Sequence, residues 1–278
     1  MKLIRNNNVE FRGAQVKKAI GRIYIIIIML FLYLPILTLI VLSFNETKSM
    51  SVWGGFSLHW YDELFHSRLM MGAIVNTFSI AILAALIATV VGTLAVLGMA
   101  GMKTRTQNIL LGFNNIPMLN ADIVTGIALM LFFLMVGAPR GYMTILFSHA
   151  TFCIPYVILS VRPRVNMNTE RLFEAALDLG ASERYAFRKI VLPELKPGIM
   201  SGFLLSFTMS VDDFIITYFT RGAGINTIST LIYSEVKIGI RPSLFALSTI
   251  IFVVALVVLL IANFRQDRAD RLIAADAA

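Results

Sequence analysis

Glu174-Ala175-Ala176-Leu177-Asp178-Leu179-Gly180-Ala181 runs on through Ser182 to Lys189 and ends Ile190-Val191-Leu192-Pro193. Good helix formers lead up to Leu179, and Gly180 suits a helix stop because glycine accepts the left-handed conformation common there. Upstream, Asn168 or Thr169 suits a helix cap, and Glu170 suits the positive end of the dipole. Neither residue has Glu or Gln three positions on, so the reciprocal capping box is absent. Ser182 starts a second short helix from Glu183 to about Ile190, which Pro193 is expected to end. Two short helices joined at a glycine therefore make a compact charged projection, about residues 162–196, between two apolar runs.

Working outward, those runs are long enough to cross a bilayer, which takes roughly 20 residues per helix. Six such spans are expected, at about Ile23–Phe44, Met71–Met99, Ile116–Val136, Tyr142–Val161, Pro197–Thr220 and Ser243–Phe264. The third opens on the polar stretch Asn114-Asn115-Ile116-Pro117, and Pro35 and Pro155 lie inside the first and fourth. Proline within a span is tolerated where neighbouring helices re-satisfy the freed backbone. Of 278 residues, 58% are hydrophobic and 14% charged, with a mean hydropathy of +0.79. A soluble domain would carry about a quarter charged residues. The fold class is all-α: a polytopic membrane protein of six transmembrane helices. Span two carries Ala81, Ala85, Ala88, Gly92 and Ala95 on one helical stripe, which lets another helix approach closely. No long segment recurs, so an internal repeat is not supported.

Eighteen of the 24 Lys and Arg residues fall in the N-terminal segment, the loops after spans two and four, and the tail. The other side holds Lys48, Arg68, Arg140, Arg221, Lys237 and Arg241. By the positive-inside rule both termini and the long loop are expected in the cytoplasm. This one-sided distribution also explains the net charge of +8, leaving lipid as the expected surroundings and no nucleic acid partner. The first apolar run is too long for a signal-peptide core of roughly 7–15 residues, and Ser49-Met50-Ser51 is a poor cleavage site. Cys153 lies in an apolar segment, is unable to form an intrachain disulfide, and is expected to pack as a small hydrophobe.

Glu-Ala-Ala, three residues, Gly, nine residues, Ile-x-Leu-Pro is similar to the EAA loop of bacterial ABC importer permeases. The matching residues are Glu174, Ala175, Ala176, Gly180, Ile190, Leu192 and Pro193. The resemblance covers roughly residues 70–265 and implies a type I ABC importer permease fold in the bacterial inner membrane. It divides the chain into a cytoplasmic segment (1–22), a first transmembrane helix with a periplasmic loop (23–69), a core (70–264) and a tail (265–278). It also implies that Glu174, Ala175, Ala176 and Gly180 form a coupling helix docking in a groove of an ATP-binding subunit. The chain has no Gly-x-x-x-x-Gly-Lys-Ser/Thr loop to cradle nucleotide phosphates, so it is expected to hold no cofactor. ATP and Mg would be bound by the partner ATPase, and the chain itself would be a transport subunit, not an enzyme.

An ionisable residue inside a span costs roughly 2.5–3.5 kcal/mol on insertion scales, so each needs an explanation. Asp122, Asp212 and Asp213 qualify. On one continuous helix Ser206, Ser210, Asp213 and Thr217 would form a polar stripe lining a wet path, with Asp212 about 100° away. Asp122 and Asp213 would then be successive stations at opposite ends. Acids without intramembrane Lys or Arg favour a cationic solute; pairing with helix N-termini or with a second subunit explains them equally well. Ser206 to Asp213, Ala121 to Gly126 and His149 to Cys153 resemble spermidine/putrescine permeases of the C type. Ala121 stands where that subfamily has proline. This resemblance implies a second related permease, two ATPase subunits and a periplasmic polyamine-binding protein. Trp60, with Tyr61, Asp62 and Glu63, suits either ammonium groups or an interfacial belt, and Trp53 suits the belt. His59, His66 and His149 lack metal-ligand spacing and are expected to be structural or interfacial. Another small cationic solute is the alternative cargo, and an intramembrane aspartyl protease is the rival from another class, lacking its Tyr-Asp and Gly-x-Gly-Asp contexts.

Overall fold

The computed structural model describes residues 2–165, 167–254, 256 and 257, with the backbone alone for 2–20 and 167–170. The tail 265–278 and the expected sixth span beyond 257 lie outside the described residues. The chain divides into two compact units, Met1–Ser67 with Gly239–Ala278, and Arg68–Ile238. Among the described residues, four helices are long and apolar enough to cross a membrane, or five if one sharply bent pair counts as a single span. The six-span expectation is compatible with this.

In the first unit, α1 (Lys2–Ser43) is apolar on every side over Gly21–Ser43, as a membrane-spanning helix without a polar face requires. Its end is organised by Asn45, which is buried. The Asn45 amide donates to the Ser49 and Val52 carbonyls at 3.0 and 2.8 Å, and its Oδ1 accepts from Gly54 N–H at 2.8 Å. The short helix α2 (His59–His66) then brings Trp60 back, and its indole N–H donates to the Asn45 carbonyl at 2.6 Å. Trp60 is only 3% exposed, so it braces the loop, while Trp53 remains exposed.

In the second unit, α3 (Arg68–Ala100), α6 (Tyr142–Val161) and α9 (Leu192–Asp212) pack mutually and form the core. Membrane helices associate through close contact of small residues, because lipid is as apolar as leucine. The expected stripe on α3 does this: Ala81, Ala85 and Ala88 are fully buried, and a Cβ on Gly92 would meet Val157 at 2.8 Å. α9 has its own stripe, Gly198, Gly202, Ser206 and Ser210, at four-residue spacing. A Cβ on Gly202 would lie 3.2 Å from Val157 Cα, and one on Gly198 would lie 3.0 Å from the Ser160 carbonyl. Cys153 is buried opposite, its thiol 3.4 Å from the Ser206 carbonyl, as a small packing residue. Gly202→Leu should therefore overpack α6 against α9 and cost about 1–3 kcal/mol. A detergent melt should show the lower Tm; an unchanged Tm would mean that the two helices do not meet there.

Two expected spans are broken. Span three is α4 (Thr104–Leu119) and α5 (Asp122–Met135), bent by 103° at Asn120-Ala121. Pro117 removes one backbone donor in the last turn of α4, and Asn120 and Ala121 are both extended. Ala121 has φ −66°, the value a proline imposes, so its departure from the family pattern leaves the local geometry intact. Span five ends early as well: α9 stops at Asp212, Asp213 is extended, and α10 (Ile215–Thr220) starts anew. α10 packs on α5 and α6, and α11 (Ile228–Ile238) packs on α3.

Candidate functional site: a glycine-ended loop helix and two helix breaks

The loop helix α7 spans Met167–Asp178. Asn168 and Thr169 lie inside it, so the expected caps are displaced by a residue or two. Gly180 follows with φ +84°, Gly180 N–H donates to the Leu177 carbonyl at 2.8 Å, and Ala181 N–H donates to the Ala176 carbonyl at 3.0 Å. These are the two bonds of a Schellman ending. Among the described residues no atom lies within 4 Å of an added Cβ at Gly180, so backbone conformation and not crowding requires the glycine. Phe173, Ala176 and Leu177 are half-buried, whereas Leu172, Ala175 and Leu179 recur on one exposed face. Leu179 is 90% exposed, and Glu174 is exposed as well. An apolar stripe held out on a charged loop is what a partner surface needs.

Beyond Gly180 the structure differs from the expected second short helix. Ser182 precedes α8 (Glu183–Ala186), but its side chain makes no capping bond. A π-turn over Phe187–Val191 then joins α8 directly to α9, giving one continuous helical rod from Glu183 to Asp212. Pro193 does not end it. The π-turn pairs Leu192 N–H with the Phe187 carbonyl, and this local change of hydrogen-bond register is what admits Pro193, which has no N–H, inside the rod. Because α7 packs against this π-turn, the loop bears directly on the base of α9.

At the other end of α9 stands a buried polar cluster. His149 on α6 is 2% exposed; its Nδ1 lies 2.7 Å from Ser210 Oγ, and its Nε2 lies 2.8 Å from Thr217 Oγ1. Asp213 Oδ2 accepts from Thr217 N–H at 2.8 Å and from Thr217 Oγ1–H at 2.9 Å, and Oδ1 accepts from Ile216 N–H at 3.2 Å. The single Thr217 hydroxyl hydrogen goes to the carboxylate, so Thr217 Oγ1 must accept from His149 Nε2–H. Asp213 Oδ2 itself lies 3.3 Å from Nε2. With a neutral ring, Ser210 Oγ–H donates to Nδ1. The cluster ties α6, the end of α9 and the start of α10 together across the break.

The expected continuous helix under the polar stripe is corrected. Ser206, Ser210 and Thr217 are buried against α6, and Asp213 caps α10 instead of continuing α9. The helix-terminus reading of the acids holds for Asp213 in hydrogen bonds. Asp122 opens the first turn of α5, where the helix dipole favours a carboxylate. Asp122 and Asp212 are both exposed, Trp60 is not. The breaks also draw α5 and α10 together: a Cβ on Gly126, one turn past Asp122, would lie 3.4 Å from the Ile215 carbonyl and 3.5 Å from Ile216 Cα. His149, expected to be structural or interfacial, is structural: it joins α6 to the end of α9 and the start of α10. The cost of a buried imidazole inside a span was the available signal.

The loop motif and the bundle find their match in a known family. Residues 88–273 match the model described as the binding-protein-dependent transport system inner membrane component. The chain belongs to this family. It is 37% identical over 240 residues to the spermidine/putrescine transport system permease protein PotC of Haemophilus influenzae, covering 86% of this chain and 93% of the relative. It is also 37% identical over 248 residues to the putrescine transport system permease protein PotI of Escherichia coli K12, covering 87% and 88%. The fold resembles, with a TM-score of 0.71 at 15% identity, a bacterial ABC transporter involved in the import of the acidic polysaccharide alginate; the match covers 92% of this chain and 97% of that one. The chain is thus an inner-membrane permease subunit of an ABC importer. Such a subunit works with a separate ATPase, a second permease and a binding protein, and the aspartyl protease rival falls away.

Proposed function

We infer that this permease carries polyamines, with spermidine and putrescine as cargo. The observation carrying that reading is its 37% identity, across most of both chains, to permeases named for those two solutes. In this reading both termini and the α7–α8 loop face the cytoplasm, following the Lys and Arg distribution. Two ATPase subunits close on ATP, and one presses on α7 at Glu174, Ala175, Ala176 and Gly180. The push passes through the π-turn into α9 and reaches the His149–Asp213 hinge one helix-length away. A periplasmic polyamine-binding protein delivers the cation at the outer face. Asp122 and Asp212, whose carboxylates are exposed on this chain, line the path formed with the second permease. Asp213, with Ser210, holds the break that aims them; Trp60 holds the outer loop.

A carboxylate that meets an ammonium only in the path does little for folding. Asp122→Asn and Asp212→Asn should each lower the rate of labelled spermidine uptake by about tenfold, a loss typical of one charge-assisted hydrogen bond. Complex assembly should remain at wild-type yield. Full uptake in both variants would remove these acids from the path.

A further inference from the structure

Phe214, Tyr218 and Tyr233 form a ring cluster just past the Asp212-Asp213 break. Their centroids lie 4.7 Å apart for Phe214–Tyr233, 5.4 Å for Phe214–Tyr218 and 5.6 Å for Tyr218–Tyr233. Two cations of the chain already sit on these faces. Lys237 Nζ lies 4.5 Å from the Tyr233 centroid, and the Arg221 guanidinium lies 5.6 Å from that of Tyr218. The two are held differently. Arg221 also donates to Asn226 Oδ1, which anchors it. Lys237 is fully exposed and, among the described residues, has no carboxylate partner. Tyr233 holds its pKa above the ordinary lysine value, so the ammonium stays charged.

The chemistry of that contact is specific. A lysine side chain is a primary ammonium on four methylenes, which is one end of a diaminobutane. The Tyr233 face therefore already binds the group that a linear alkyl-polyamine would present. Tyr218 and Tyr233 are both more than a third exposed, so the cluster is open to solute on this chain. We propose that Phe214, Tyr218 and Tyr233 form a subsite for the primary ammonium of an alkylamine, and that Lys237 occupies it until the solute displaces it. The proposal rests on the polyamine reading and gives that cargo a second contact beyond the acids. Displacement makes the subsite selective: a solute must offer the rings at least what the tethered ammonium does. A monovalent inorganic ion, which brings no alkyl chain to cover the rings, gains less.

The test uses the assembled complex in lipid nanodiscs, with butylammonium as the probe. Saturation-transfer NMR reads binding, and labelled putrescine uptake is read in parallel. Removing the tethered competitor with Lys237→Met should tighten butylammonium binding about two- to fivefold, the range expected of one exposed cation–π contact. Tyr233→Leu should weaken it by at least as much, and Tyr233→Phe should retain it. If Lys237 only stabilises α11 through its i, i+4 contact, Lys237→Met will bind the probe no better than wild type, and that result overturns the proposal. Equal binding by Tyr233→Leu overturns it too. A wild-type complex that imports neither putrescine nor spermidine, yet shows the Lys237 and Tyr233 effects, sinks the cargo reading and leaves the subsite standing.

Discussion

Gly180→Val will cut ATP-driven uptake about tenfold or more while leaving the permease assembled in the membrane. Gly180 sits at φ +84° with open space around it, so the penalty comes from the backbone alone. A left-handed conformation costs an ordinary L residue roughly 1–2 kcal/mol, and a β-branched one more. Valine will therefore give up the two Schellman bonds to Leu177 and Ala176 and unwind the end of α7. The exposed stripe of Leu172, Ala175 and Leu179 then loses its shape. ATP hydrolysis should continue with little response to the binding protein, which is the signature of uncoupling. Gly180→Asn supplies the control, because asparagine tolerates the left-handed region and should keep most uptake. Wild-type coupling in the valine variant would show that α7 is not where the ATPase acts.

His149→Leu should have the largest effect on the folded protein. It removes the imidazole that bridges Ser210 on α9 to Thr217 on α10, and leaves the Asp213 carboxylate buried with one fewer polar neighbour. Breaking a buried polar cluster from one side costs about 3–5 kcal/mol, since the partners stay desolvated. A large fall in detergent Tm and near-complete loss of uptake are expected. His149→Gln, which keeps a donor and an acceptor, should fall between. A leucine variant that melts with the wild type would mean that the break in span five is held by other contacts.

Much of this architecture was legible before the structure. Spans two and four emerged at nearly their observed limits, because an apolar run has no competing reading. The α3 stripe was visible because small residues at four- and three-residue spacing have one packing use. Gly180 was visible because glycine after a run of helix formers is a local signal. The breaks at Asn120-Ala121 and Asp213-Phe214 were not, since they carry no glycine or proline at the break itself. The second is set by side chains from another helix: Asp213 turns to cap α10 only where His149 and Thr217 receive it. A continuous-helix reading of Ser206, Ser210, Asp213 and Thr217 therefore grouped residues that do meet, yet read as one helix what is two, broken after Asp212. Pro193 misled in the opposite direction, because the π-turn before it removed the reason for the helix to stop. Trp60 was ambiguous by composition; the structure adds a bracing role that neither reading named, through its bond to the Asn45 carbonyl.

The central claim is that this chain moves polyamine inward on a partner's ATP. Proteoliposomes holding this permease with its second permease and ATPase, with the binding protein outside and ATP inside, test it most directly. Labelled spermidine and putrescine should accumulate against their gradient, and only when both binding protein and ATP are present. Accumulation of neither solute under those conditions, or equal entry without ATP, would contradict it.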